Sequence, residues 1–183
     1  MQTLVFATSN KDKAREAEEI LGYPVEIQKL ALDEIQSDSL EVVVRKKVID
    51  AYTLVKRPVI VDDVGVYVDV WNGFPGPFIK FVEQNNTNDL LLYMMRNETN
   101  RNVQIVSAIG FCDGKRTEIF FGEKNGRLSI ESRGTNGWGF DPVFIPQGYD
   151  KTWAEMGSEM KNSMSHRKAS LERLSDFLRD YWK

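Results

Sequence analysis

Residues 3–22 read TLVFATSNKDKAREAEEILG. Thr3 to Thr8 form a short apolar run that fits a buried strand. After Ser9 and Asn10, residues 11–21 are strong helix formers, and Gly22 suits the C-cap. A strand that runs directly into a helix is the repeating unit of α/β proteins, and the rest of the chain continues in kind. Residues 25–30 (VEIQKL) alternate like a second strand. Asp38 and Glu41 resemble a capping box ahead of a helix over 40–56, with Val43, Val44, Val48, Ala51 and Val55 on one side, and Lys56-Arg57-Pro58 ends it. Residues 59–62 and 66–70 are β-branched strands around Gly65, followed by a turn at 72–77 and a helical stretch to about 96. Residues 103–112 and 117–121 bracket the hairpin signal Asp113-Gly114. A further strand is expected at 127–131, a Gly-rich loop at 132–142, a short strand at 143–146 and an amphipathic helix over 165–182. With hairpins among the helices, the expected class is α/β with a mixed sheet.

The chain has 183 residues, a length that suits one compact domain with room for two lobes. Its 24 Lys+Arg against 27 Asp+Glu give a net charge of −3, which argues against a protein that coats nucleic acid. An anionic substrate would need positive charge concentrated locally. The single cysteine, Cys112, excludes an internal disulfide and Cys-based zinc clusters, and the single histidine, His166, excludes His-His metal motifs. The apolar run Leu4 to Ala7 is too short for a signal-peptide core, and no stretch approaches the roughly 20 apolar residues of a membrane span. The N-x-T triplets at Asn85 and Asn97 therefore carry no glycosylation reading. The expectation is a soluble, cytoplasmic protein with no nucleic-acid or membrane partner.

Four segments offer chemistry. Thr8-Ser9-Asn10-Lys11-Asp12-Lys13 joins the first strand to the first helix, where free backbone N–H groups and the helix dipole suit a phosphate. An ordinary N-cap with solvated lysines is the competing reading. No Walker A sequence occurs anywhere in the chain. Asp62-Asp63 ends a strand ahead of Gly65, and adjacent carboxylates at a strand end are suited to hold Mg²⁺ or to take a proton from water. A polar turn would look the same. Arg133 to Pro142 places three glycines around Trp138 and Phe140, which could offer flat faces to a base or be core aromatics. Lys161 to Arg167 opens the last helix with His166 and Arg167 side by side, rich in N–H donors. Lys46 and Lys80 are isolated basic residues.

Taken together and in order, T-S-N-x-x-K-x-x-E (Thr8 to Glu16), D-D-x-G (Asp62 to Gly65), N-G-x-P-G-P-F-I-K (Asn72 to Lys80), G-W-G-F-D-P (Gly137 to Pro142) and E-x-K-N-x-x-S-H-R (Glu159 to Arg167) resemble the inosine triphosphate pyrophosphatase family. The resemblance covers nearly the whole chain. It implies a long central mixed sheet flanked by helices, two lobes with the substrate in the cleft between them, and a homodimer. It also implies Mg²⁺-dependent hydrolysis of deaminated purine nucleoside triphosphates (ITP, dITP, XTP) to the monophosphate and pyrophosphate. Residue by residue, Thr8, Asn10 and Lys13, with the intervening Ser9, Lys11 and Asp12, would bind the triphosphate, joined by Lys46 and Lys80. Glu34, Asp62 and Asp63 would hold the metal, with Asp63 as the general base. Trp138, Gly139, Phe140 and Asp141 would hold base and sugar, Trp138 stacking, while Lys161, His166 and Arg167 would read the 6-oxo edge.

Two positions depart from the family pattern: Val64 stands where a hydroxyl residue is common, and Trp138 where phenylalanine is common. Selectivity against ATP has a physical basis. A 6-oxo group accepts hydrogen bonds where adenine's 6-amino group donates, so buried donors would be left unpaired at about 1–3 kcal/mol each. A non-catalytic purine-nucleotide sensor is the rival from a different class, and the intact acid pair speaks against it.

Overall fold

The computed structural model describes residues 3–22, 24–83 and 88–182, without the side chain of Asp12. The triplet at Asn85 lies outside the described residues. In chain order the elements are β1 (Leu4–Ala7), α1 (Lys11–Leu21), β2 (Val25–Gln28), α2 (Leu40–Val55), β3 (Val59–Val68), a 3₁₀ turn (Asp69–Trp71), β4 (Pro75–Gly76), α3 (Ile79–Val82), α4 (Asp89–Met94), β5 (Asn102–Cys112), β6 (Thr117–Leu128), β7 (Phe144–Pro146), α5 (Trp153–Met156), α6 (Ser158–Met164) and α7 (His166–Tyr181). The strands make one mixed sheet in the order β2-β1-β3-β5-β6-β7, with β4 paired to β3. β1 pairs in parallel with β2 and β3, whereas β3–β4 and β6–β7 are antiparallel. The α/β class with a mixed sheet and flanking helices is as expected. Among the described residues no helix is long and apolar enough to cross a membrane.

The chain divides into two compact units. The first comprises residues 1–63, 107–122 and 167–183, the second residues 64–106 and 123–166. Each has its own apolar core. In the first, Leu4 and Phe6 of β1, Ala14, Ala17 and Leu21 of α1, Ile60, Ile109, Phe111 and the α7 stripe Leu171, Leu174 and Leu178 pack together. The spacing of that stripe, three then four residues, is the helical period that puts all three on one face. In the second, Val64, Val66 and Val68 pack with Ile79, Leu91, Met95, Ile105, Phe144 and Trp153. There Arg101 acts as a staple, its guanidinium donating to the carbonyls of Leu128, Met95 and Ser129.

Several boundaries differ from the sequence expectation for identifiable reasons. β3 is one continuous strand through Gly65, not two. β6 likewise merges the expected strands at 117–121 and 127–131, because the polar run Glu123 to Arg127 alternates exposed and half-buried positions and pairs as a strand. The N-cap of α2 is Ser39, whose hydroxyl accepts the Val42 N–H, rather than Asp38. The helical stretch expected before residue 96 is two short helices, α3 and α4, while α5 and α6 were not anticipated. The capping box of α5, between Thr152 and Glu155, is present in the sequence pattern T-x-x-E.

Candidate active site

In the first unit, the β1–α1 junction is a capped turn that leads into the helix. Asn10 is the N-cap of α1, its Oδ1 accepting the Lys13 N–H at 3.1 Å, and the Asn10 N–H in turn donates to Thr8 Oγ1 at 3.0 Å. These bonds curl the loop so that Ser9 and Lys11 are exposed. Thr8, Ser9 and Lys11 line an open depression with Arg15 and Lys29, two cations that sequence reasoning did not select. Lys13 turns the other way, its Nζ 2.7 Å from Asp62 Oδ2.

Asp62 is fully buried, and both its oxygens are engaged. Oδ2 also accepts from Arg167 Nε at 3.2 Å, and Oδ1 accepts the Ser107 hydroxyl at 3.1 Å. Arg167, 1% exposed, donates through Nη1 to Glu16 at 2.9 Å. Burial acts to lower the Arg167 pKa, but the carboxylates of Asp62 and Glu16 outweigh it and hold the guanidinium above its ordinary value. Two cations and two carboxylates therefore form a charge-balanced network, buried except at Lys13. The Ser170 hydroxyl, 3.0 Å from that of Ser107, backs it.

Asp63 faces a different environment. Lys47 Nζ lies 2.8 Å from Glu34 Oε1 and 3.3 Å from Asp63 Oδ2, with the two carboxylates about one-third exposed (34% and 29%). Burial lowers the Lys47 pKa, yet Asp63 and Glu34 together raise it above normal. Lys46, the residue expected to contact phosphate, instead pairs with Asp50 on the exposed side of α2. The signal was available: Lys47 is four residues from both Val43 and Ala51 on the buried stripe, whereas Lys46 shares a stripe with exposed Val42 and Ile49. Glu34 and Asp63 present two oxygen donors around a single ammonium, leaving a local excess of negative charge. That donor set fits Mg²⁺, which commonly takes one or two carboxylates and completes its shell with phosphate oxygens and water. Among the described residues no three acidic side chains converge, so Asp62 does not join Glu34 and Asp63 in one cluster.

In the second unit, the loop 132–142 is fastened by Asp141. Its Oδ2 accepts the Trp138 N–H at 2.9 Å and lies 2.7 Å from Lys161 Nζ, with both charged side chains buried. Gly137 adopts φ +80°, and a Cβ there would lie 2.1 Å from the same oxygen. Gly137→Ala is therefore expected to destabilise the protein by about 1–3 kcal/mol and to loosen Trp138, read as a lower melting midpoint and altered tryptophan fluorescence. Lys161 Nζ also sits 5.1 Å from the Trp138 ring centre, a cation–π contact. Trp138 is partly exposed, and the Gly139 carbonyl accepts from the Asn88 side chain at 3.0 Å.

Phe140, expected to help hold base and sugar, has its ring in the apolar core. It is buried in the core against Trp153, since its apolar ring gains more there than at a wet site. His166 is buried as well, stacked on Trp153 at 5.4 Å, so Trp153 is the platform that sequence reasoning missed. Lys80 is exposed, with Nζ 5.2 Å from the Phe81 ring centre. A separate cavity of about 310 Å³ in this unit, lined by Asp69, Asn102, Gln104, Asn125, Arg127 and Gln147, contains none of the motif residues.

The Ham1 family profile matches residues 4–177. The chain belongs to the Ham1 family. The dITP/XTP pyrophosphatase of Methanopyrus kandleri is 40% identical over 181 residues, 97% of this chain and 96% of that protein. The enzyme of the same name from Thermococcus kodakarensis is 38% identical over 183 residues, 98% of this chain and 99% of its own length. Among solved structures, the Ham1 protein of Staphylococcus aureus superimposes with a TM-score of 0.87 at 28% identity, covering 98% of this chain and all of that one. The Ham1 protein of Coxiella burnetii gives a TM-score of 0.88 at 25% identity, with the same coverage. The acid pair, the Asn10-capped loop and the Asp141–Lys161 clasp thus belong to a Ham1 fold.

Proposed function

We propose that this Ham1-family chain hydrolyses dITP, ITP and XTP to the nucleoside monophosphate and pyrophosphate with Mg²⁺. The observation that carries the reading is the separation of the acid pair: Asp62 buried among Lys13, Arg167 and Ser107, Asp63 half-exposed beside Glu34 and Lys47. Near-full-length similarity to enzymes named dITP/XTP pyrophosphatase supports the substrate class.

In this reading the α1 N-terminus, with Thr8, Ser9, Asn10 and Lys11, receives phosphate oxygens through backbone N–H groups and side-chain donors. Lys47 and Lys80 add charge for the remaining phosphates. Glu34 and Asp63 hold Mg²⁺, which when bound stabilises negative charge developing on the phosphoryl oxygens. Asp63 orients the attacking water and takes its proton, while Asp62 keeps Lys13 and Arg167 in place. Trp138 stacks on the purine, and the clasp of Asp141 and Lys161 fixes that ring's height. Lys161 and His166 line the base end. The reading also carries a homodimer and a cytoplasmic location, where nucleoside triphosphates are made and consumed.

Incubation with dITP, XTP, ITP, ATP and GTP, with and without Mg²⁺, tests it. Pyrophosphate release from the first three, lost with EDTA and at least a hundredfold slower with ATP, is the expected result. Release of single phosphates, or equal rates on ATP, would falsify it. Light scattering on the purified chain measures the assembly.

A further inference from the structure

β3 is unbroken across Gly65, and the side chain occupying the space beside that glycine is Tyr67. Side chains alternate along a strand, so positions 63, 65 and 67 fall on one face of β3. The Tyr67 ring does not stand upright on that face. A Cβ built on Gly65 would lie 2.7 Å from Tyr67 Cε2 and 2.8 Å from its hydroxyl oxygen, while Cβ atoms on Gly76 and Gly73 would meet Cε1 at 3.3 Å and Cδ1 at 3.5 Å. The ring therefore lies down over a bed of three glycines. Its distal end, Oη included, covers Gly65, two residues from Asp63 on the same face of β3. No side chain other than hydrogen is compatible with this placement at position 65.

Among the described residues the Tyr67 hydroxyl makes no hydrogen bond, and burial of the half-buried ring is the sole influence on its pKa, which it raises. The phenol is thus a neutral donor at working pH. Position 64 contributes nothing comparable, because Val64 is turned into the apolar core. A donor with no partner among the described residues, laid over glycines on the face of β3 that also carries Asp63, is suited to an anionic oxygen.

We propose that Tyr67 is a substrate-binding residue whose Oη–H donates to a phosphoryl oxygen of the pyrophosphate portion of the substrate, an inference that rests on the pyrophosphatase reading above. A hydrogen bond from a neutral hydroxyl to a charged phosphate is of the stronger kind, and its loss costs about tenfold or more in binding.

Tyr67→Phe isolates the claim, since the ring keeps its glycine bed and only one oxygen is removed. The expected result is a fall of about tenfold or more in kcat/KM for dITP, carried mainly by KM, with an unchanged melting temperature. Inhibition by inorganic pyrophosphate should weaken by a similar factor, and inhibition by inosine should not change. Unchanged kcat/KM, or a loss that leaves pyrophosphate inhibition intact, overturns the role while the activity of the unmodified protein stands. An unmodified protein that releases no pyrophosphate overturns the activity and this role together.

Discussion

Arg167→Ala should lower the stability of the protein by about 3–5 kcal/mol, the cost of removing one partner from a buried ion network. The guanidinium is 1% exposed and serves two carboxylates from two different nitrogens, Nε to Asp62 and Nη1 to Glu16. Its removal leaves two buried negative charges with Lys13 as their one remaining cation in the network. For a chain of this size the loss corresponds to a drop of roughly 6–20 °C in melting temperature. Arg167→Lys should recover only part of it, because an ammonium is a point charge without the planar fork that spans the two acids. Urea unfolding of the three proteins decides the matter. A loss under about 1 kcal/mol for the alanine variant would mean that water reaches the acids and the network is not closed. Activity should fall with stability here, since Asp62 would be held by Lys13 and Ser107 alone.

The fold was legible where local signals agree with one another. Leu4 to Leu21 reads as strand then helix because apolar run, cap and helix formers point the same way, and the structure follows it. It was less legible at Gly65 and Glu123 to Arg127, where a glycine or polar residues look like loop until the neighbouring strands supply partners. The site divides in the same manner. Asn10, Asp62, Asp63 and the Asp141 loop stand in contiguous motifs. Lys47 was recoverable from helical periodicity alone. Ser107 and Ser170 were not, because a lone serine carries no sign of the carboxylate or hydroxyl that the fold brings to it from dozens of residues away. Phe140, His166 and Trp153 show a further limit: motif order says which residues gather, not which of them end in the core.

Asp63→Asn should reduce pyrophosphate release by about 10²–10⁴-fold while leaving stability within about 1 kcal/mol of the unmodified protein. The amide has the shape of the carboxylate and can still accept from Lys47, but it cannot take a proton from water and is a poorer partner for Mg²⁺. The pair it leaves, Lys47 with Glu34, remains at 2.8 Å on a partly exposed face, where loss of one charge is screened. Asp62→Asn is the informative contrast. There the neutral amide faces Lys13 and Arg167, and leaves the buried Arg167 and the partly buried Lys13 against Glu16 alone. That variant should lose about 3–5 kcal/mol. Neighbours in sequence, the two acids are thus separated by what they cost: one substitution removes turnover from a stable protein, the other removes stability. Nucleotide binding measured by calorimetry should persist in Asp63→Asn. If instead it keeps turnover, or if both variants melt alike, the division of labour between buried anchor and exposed base fails.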